Sequence, residues 1–445
     1  MHSSWRLKWA LATAFCVALL MAPAMWNGFP LLQWDTGGYL ARWYEGYLVP
    51  SRAVVYGLIL NAGSPLSFWP VVALQSALTI WIAALVLRTH GLGKRPWLLL
   101  GIITTLTVVS TLPWLTSILL TDIFCGLAVL ALYLLLMRAA HLWTSERMGL
   151  VVLIAVAAAT HSATFALLAG LLLCGAAVKL FAPPRVPARA LGLGVIALAL
   201  GGAMVFAADY AVAGRMAWTP GGFALSFGRM LQDGIVSKYL DEHCPDPVLM
   251  LCRYKDELPL DADAWFWGSP LFDRLGRFAG LDEEMATIAL RSLAAYPGLQ
   301  LESAATDTAR QLIDVHTGEG VLSTIWHTYR MIELHTPRLA PAMHAARQQR
   351  GEISLAAVND LQYPLALAAM ALLPLLVFAA WRGTIAVDTG ELAATIALAL
   401  LGNAFICGVL SNPHDRYGAR VVWLAIFAVF LAAARHHGER RKRLN

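Results

Sequence analysis

Hydrophobic positions in this chain come in long blocks, not in the two-residue alternation of a strand or the narrow stripe of an amphipathic surface helix. Apolar runs cover 7–27, then roughly 66–88, 97–113, 119–138, 149–160, 163–180 and 190–208, and later 361–381, 393–410 and 418–435. Short polar or basic connectors separate them. A helix needs about 20 apolar residues to cross the ~30 Å hydrocarbon core. The blocks therefore predict an all-α membrane protein with about ten transmembrane helices. The run 53–63 (AVVYGLILNAG) is too short to cross and reads as an interfacial helix lying on the bilayer. The first run also reads as a signal peptide, with Ala22-Pro23-Ala24 as a small-residue cleavage site, but the many later spans favour an uncleaved one.

Between 209 and 360 the pattern becomes polar and mostly helical. Asp282-Glu283-Glu284 opens an amphipathic stretch with Met285, Ile288, Ala289, Leu290 and Leu293 on one side. Tyr296-Pro297 breaks it, and a second stretch runs through Leu301, Ala305, Ala309 and Leu312. No strand alternation of useful length appears. Three regions follow: an N-terminal transmembrane module (1–208), one large outward-facing helical domain (209–360), and C-terminal transmembrane helices with a basic tail (361–445).

Composition agrees with this reading. The 445 residues are 58% hydrophobic and only 14% charged, against about 25% charged in soluble domains. The net charge of +5 carries no nucleic-acid signature, because no basic run is interleaved with aromatics on a polar segment. It sets topology instead. Alternate loops hold Arg88, Lys94 and Arg95; Arg138 and Arg147; Lys179, Arg185 and Arg189; then Arg382. The tail adds Arg435, Arg440, Arg441, Lys442 and Arg443. Basic loops stay inside, so both termini are expected in the cytoplasm. Residue 35 and the region 209–360 then face the periplasmic side of a bacterial inner membrane. Cys16, Cys125, Cys174 and Cys407 fall in apolar runs and read as packing residues. Cys244 and Cys252 lie in the outer region, where a local disulfide is expected; a metal site using His243 beside Cys244 is the poorer alternative.

The candidate chemistry collects on that outer face. The stretch Gln33-Trp34-Asp35-Thr36-Gly37-Gly38-Tyr39 reads as a polar loop in which the paired glycines let the backbone turn. Its plain reading is an Asp-initiated turn. Asp122 stands at the outer end of its span, Thr160-His161-Ser162 breaks an apolar run, and Asn412, His414, Asp415, Arg416 and Tyr417 form the last outer loop. Each has a structural alternative: Asp122 as a helix cap, His161 as a packing histidine, Arg416 as a headgroup anchor. Their gathering on one face favours function, since ionisable groups at membrane depth are functional candidates. A carboxylate near arginine and histidine suits transfer from a lipid phosphate to a polar acceptor, with the carboxylate as general base and arginine on the departing phosphate.

These motifs resemble the GT-C class of membrane glycosyltransferases, the branch that includes protein O-mannosyltransferases and aminoarabinose transferases. The resemblance rests on Asp35 in WDTGGYL after the first span, the apolar segment from Arg52 to Leu58, Asp122 opening a span that ends in ALYLLL, and Arg416-Tyr417 opening the last span. It covers the span layout to about 208 and again from about 361. It implies a polyprenyl-phosphate-type sugar donor, Asp35 as base, and Asp122 orienting the acceptor or a divalent metal, if one is used. Tyr39, Arg52, His161, His414, Asp415, Arg416 and Tyr417 would then bind substrate. The chain departs from the pattern at Thr36, where many relatives carry a second acid, and at Ala419-Arg420, where proline is common. Sugar and acceptor are not named by the sequence. The rival readings are an O-antigen polymerase or ligase, for which Arg330 and Arg338 would matter more, and a lipid or solute transporter.

Overall fold

The computed structural model describes residues 2–46, 48, 52–182, 185–219 and 222–444, without the side chains of 2–4 and 439–444. The tail side chains Arg440, Arg441, Lys442 and Arg443, counted above toward topology, lie outside the described residues. The fold is helical throughout, and among the described residues the only strand-like pairing is an isolated bridge between Leu31 and Ile118.

Every apolar block becomes a helix. Among the described residues, seven are long and apolar enough to cross a membrane: Trp5–Asn27, Trp69–Thr89, Ser162–Phe181, Ala188–Ala213, Ala356–Trp381, Val387–Leu410 and Asp415–Gly438. The expected ten thus divide into seven full-length spans and three shorter helices, Pro96–Val109, Asp122–Met137 and Thr144–Thr160. The 16-residue Asp122–Met137 helix is about 24 Å long, yet all its residues except Met137 are buried. It runs through the middle of the bundle, walled by Trp69–Thr89, Thr144–Thr160, Ala188–Ala213 and the C-terminal helix. Protein, not lipid, surrounds its ends, so a carboxylate can stand there.

The bundle has two polar ends. At one, Arg88 meets Glu146 at 2.5 Å, and Asp388 takes Arg435 on one oxygen while Arg138 faces the other at 3.3 Å. At the other lie Asp35, Asp122 and Arg416. Asp122 and Arg138 sit at opposite ends of the same central helix, so the two clusters occupy opposite faces.

The region 209–360 is built in two parts. Residues 224–289 surround a core of their own, with Phe227, Trp265, Phe272 and Met285 fully buried. Cys244 and Cys252 are joined there, with Cα atoms 5.5 Å apart, which removes the alternative of a thiolate–imidazole metal site beside His243. The following stretch packs on the bundle instead. Pro297–Ile313 lies on Val387–Leu410, and Trp326–His335 lies on Trp34–Glu45. Gln348 clamps the chain beyond the first span, accepting from the Leu32 amide at 2.9 Å and donating to the Leu32 carbonyl at 2.7 Å.

Candidate functional site

The stretch around Asp35 is not the turn that its glycines suggested. Trp34–Glu45 is a helix capped by Gln33. The Gln33 side chain accepts from the Asp35 amide at 2.7 Å, and the Gln33 amide donates to the Thr36 hydroxyl at 3.0 Å. The Thr36 hydroxyl in turn donates to the Leu119 carbonyl at 2.9 Å. A carboxylate could not make that donation, so a hydroxyl side chain suits this position. Gly37 serves close packing. A Cβ on Gly37 would stand 2.6 Å from the Thr328 backbone. Thr328 also accepts from the Gly37 amide at 3.1 Å and donates to the Trp34 carbonyl at 2.8 Å.

This helix holds Asp35 between two guanidinium groups. Arg416 Nη1 donates to Asp35 Oδ2 at 2.5 Å, and Arg52 Nη2 donates to Oδ1. Burial alone would raise the Asp35 pKa, but the charges and hydrogen bonds of Arg52 and Arg416 outweigh it and hold the carboxyl at about 2. Arg416 is therefore a buried ion-pair partner, not a headgroup anchor. Tyr39 is fully buried beside them, with Arg52 lying 6.0 Å from its ring centre. Arg52 stands two residues before the short helix Val54–Gly63, which buries Val54, Val55, Tyr56 and Leu60.

Asp122 makes no capping hydrogen bond, contrary to its simplest reading. Its Oδ1 lies 3.8 Å from Arg420 Nη1, and both atoms are buried without a hydrogen-bond partner. Arg416 Nε and His161 Nδ1 are in the same condition. Buried polar groups are rarely left unmatched, and a cluster of them calls for an explanation such as a bound ligand or water. His161 sits in the extended link between Thr144–Thr160 and Ser162–Phe181, and with Arg52 it lines a small recess closed by Trp218.

The residues that open the last span divide their work. His414 Nδ1 lies 2.7 Å from Glu319 and Nε2 lies 3.6 Å from Asp263. The other Glu319 oxygen accepts from the Arg416 amide at 2.8 Å. Burial pushes the His414 pKa down, but the Glu319 hydrogen bond and the charges of Glu319 and Asp263 more than reverse this and raise it. Tyr417 lies beneath both Arg416 and Arg420, 5.0 and 5.4 Å from its ring centre. Asp415 is engaged elsewhere, accepting from the His316 amide at 2.8 Å with the His316 ring nitrogen at 2.7 Å.

Above Asp35 opens a chamber of about 1470 Å³. Its lining includes Asp35, Arg52, His414, Arg416 and Tyr417 from the sequence-based set; Asp122, Tyr39, His161 and Asp415 are not part of that wall. Arg330 and Arg338, which the polymerase or ligase reading favoured, are exposed and do not line it. Glu319, Asp263 and Arg420 were missed by sequence reasoning. Arg420 alone left a signal, a charge one helical turn beyond Arg416 on the same face. No group of three or more His, Cys, Asp or Glu side chains is placed to hold a metal ion among the described residues. No family model, curated protein or solved structure matches the chain.

Proposed function

We propose that this chain is an integral membrane glycosyltransferase that moves a sugar from a polyprenyl-phosphate-type lipid to an acceptor at the outer face of the membrane. One observation carries the reading: a buried carboxylate on a chamber wall, bracketed by two arginines, at one end of a membrane bundle.

The chemistry needs both parts. In the transfer, Asp35 takes the proton of the acceptor hydroxyl, the acceptor oxygen bonds to the anomeric carbon, and the bond from that carbon to the phosphate oxygen breaks. The electron pair leaves with the phosphate, where Arg52 and Arg416 hold the charge through charge-assisted hydrogen bonds. A carboxyl held at about 2 is a weak base. The donor phosphate competes for the same guanidinium groups, so its arrival draws them from Asp35 and restores basicity when acceptor chemistry is due. Arg420 and Asp122 stand directly behind and supply further charge and unmatched hydrogen-bonding atoms. The joined Cys244 and Cys252 suit an oxidising outer compartment, which supports the orientation drawn from the basic loops.

The test is transfer of radiolabelled sugar from a polyprenyl-phosphate donor in membranes carrying the parent chain or Asp35→Asn. Loss of transfer with the protein still folded is expected. An undiminished rate in the variant would remove Asp35 from the chemistry.

A further inference from the structure

The chamber lining draws on a second segment, 263–283 (the roof), whose residues differ in character from those around Asp35 (the floor). Residues Ala264–Gly268 form a π-helical turn with the sequence Ala-Trp-Phe-Trp-Gly. Such turns concentrate at functional sites. Here the turn separates two tryptophans. Trp265 is fully buried, with its ring 4.8 Å from that of Phe272. Trp267 is 57% exposed and lines the chamber beside Phe278, 6.3 Å away. An indole left open on a chamber wall offers a flat apolar face to a ligand.

Around it stand carboxylates. Asp263, Asp282 and Glu283 line the same wall. Two further cations line the chamber, Arg215 and Arg277, and Arg277 is engaged with Asp273 at 2.6 Å and with the Phe266 carbonyl at 3.0 Å. The floor is the reverse, with Arg52 and Arg416 beside Asp35. A ligand under this roof needs an apolar face for the indole and hydroxyl donors for the carboxylates. It must also lack strong negative charge, which the acids would repel. A neutral sugar ring meets all three conditions, since its axial C–H groups form an apolar face and its hydroxyls project from the edge. The chamber also exceeds the ~300–1,000 Å³ usual for a single small molecule, leaving room for two partners.

We propose that the roof is the acceptor subsite and that the acceptor is a neutral saccharide, its ring stacked on Trp267 and its hydroxyls received by Asp263 and Asp282. This rests on the glycosyltransferase reading for the word acceptor, while the saccharide site itself stands on the roof alone. In the reaction the saccharide hydroxyl nearest Asp35 is the one that loses its proton and bonds to the transferred sugar.

The test is direct binding to the full-length chain in detergent by saturation-transfer NMR. The probes are cellotetraose, mannotetraose and chitotetraose as neutral saccharides, with tetragalacturonate and tetralysine as charged controls. At least one neutral tetrasaccharide is expected to bind, with Trp267→Ala weakening it tenfold or more and Trp267→Phe retaining most of it. Asp263→Asn should weaken it several-fold. Asp35→Asn should leave binding intact while transfer is lost, which separates the two claims. If Asp35→Asn transfers normally yet saccharide binding still depends on Trp267, the base assignment fails and the subsite stands. Absence of binding by all three neutral probes, binding indifferent to Trp267, or preference for either charged control would overturn the subsite.

Discussion

Two aspartates in this molecule are each placed between two arginines, one at either end of the bundle. Asp388 lies between Arg138 and Arg435, and Asp35 between Arg52 and Arg416. Ion pairing alone therefore does not separate a site from a staple. The surroundings do. Around Asp388 helix packs on helix, with no chamber beside it among the described residues: Tyr133 donates to its backbone carbonyl at 3.0 Å, His90 stacks on Tyr133 with ring centres 5.9 Å apart, and Arg138 Nε is buried without a partner. The cluster ties together the ends of four helices. Asp35 borders an open chamber, and the arginines and carboxylate behind it keep buried atoms with no partner. Unmatched buried atoms occur at both ends, so what separates the site from the staple is the open chamber, through which a ligand can reach Asp35 and its arginines.

Exchanging the same mutation between the two ends gives the largest contrast. Asp35→Asn should lower transfer by about 10²–10⁴-fold, the usual contribution of a general base. Asp388→Asn should leave the rate within a few-fold but lower the unfolding temperature, because breaking a mostly buried pair costs up to about 3–5 kcal/mol. Transfer rates and thermal unfolding in detergent measure both. The reverse outcome, chemistry lost at 388 and kept at 35, would collapse the distinction. Arginine substitutions sharpen it at smaller amplitude. Arg416→Lys keeps the charge but loses the fixed fork that grips a phosphate. Transfer should fall by about 10–100-fold, the worth of one charge-assisted hydrogen bond at ~1.5–3 kcal/mol. Arg435→Lys should leave transfer unchanged.

The next effect concerns packing, and it also marks where sequence reading stopped. The helices were legible because span length and hydrophobicity are properties of each segment alone. The convergence of Asp35, Asp122, His161 and Arg416 at one end was legible because alternate loops must alternate faces. The helix at Trp34–Glu45 was not. Local residue types spelled a turn, and a hydroxyl far along the chain, on Thr328, decided for helix and required Gly37 to be small. Glu319 and Asp263 were hidden for the same reason, since each matters only through His414, whose position depends on the outer part of the fold. Asp415 misled in the other direction: its place beside Arg416 suggested substrate, but one residue along the helix start turns it toward His316. Gly37→Ala tests this tertiary decision. Its methyl would meet the Thr328 backbone at 2.6 Å, which cannot yield as a flexible side chain would. A loss of about 1–3 kcal/mol is expected from overpacking, seen as a lower unfolding temperature, while Gly101→Ala, which meets nothing within 4 Å, should be near neutral.

The smallest effect falls on the link between the two parts of the site. His414 bridges Glu319, which holds the Arg416 amide, and Asp263, the residue before the π-helical turn of the roof. Arg416 opposes its charge, and Tyr417 packs edge-on at 5.5 Å. The His414 pKa is raised in the folded chain, so its contribution is complete below the ordinary histidine range and fades as pH climbs through the raised value. For Glu319, burial raises the pKa but the His414 hydrogen bond and the nearby charges lower it on balance, so its contribution is complete above the ordinary glutamate range and fades only on deeper acidification. Between those limits the bridge holds roof and floor together. Transfer by the parent chain should therefore decline on the alkaline side as His414 loses its proton, by a few-fold and not to zero, because Asp35, Arg52 and Arg416 all remain at the site. His414→Gln retains a hydrogen bond to Glu319 without the charge, so its profile should be flat across that limb and its rate should match the deprotonated parent. A variant profile that superimposes on the parent's would show that the alkaline decline arises from another group and that roof and floor stay aligned without this histidine.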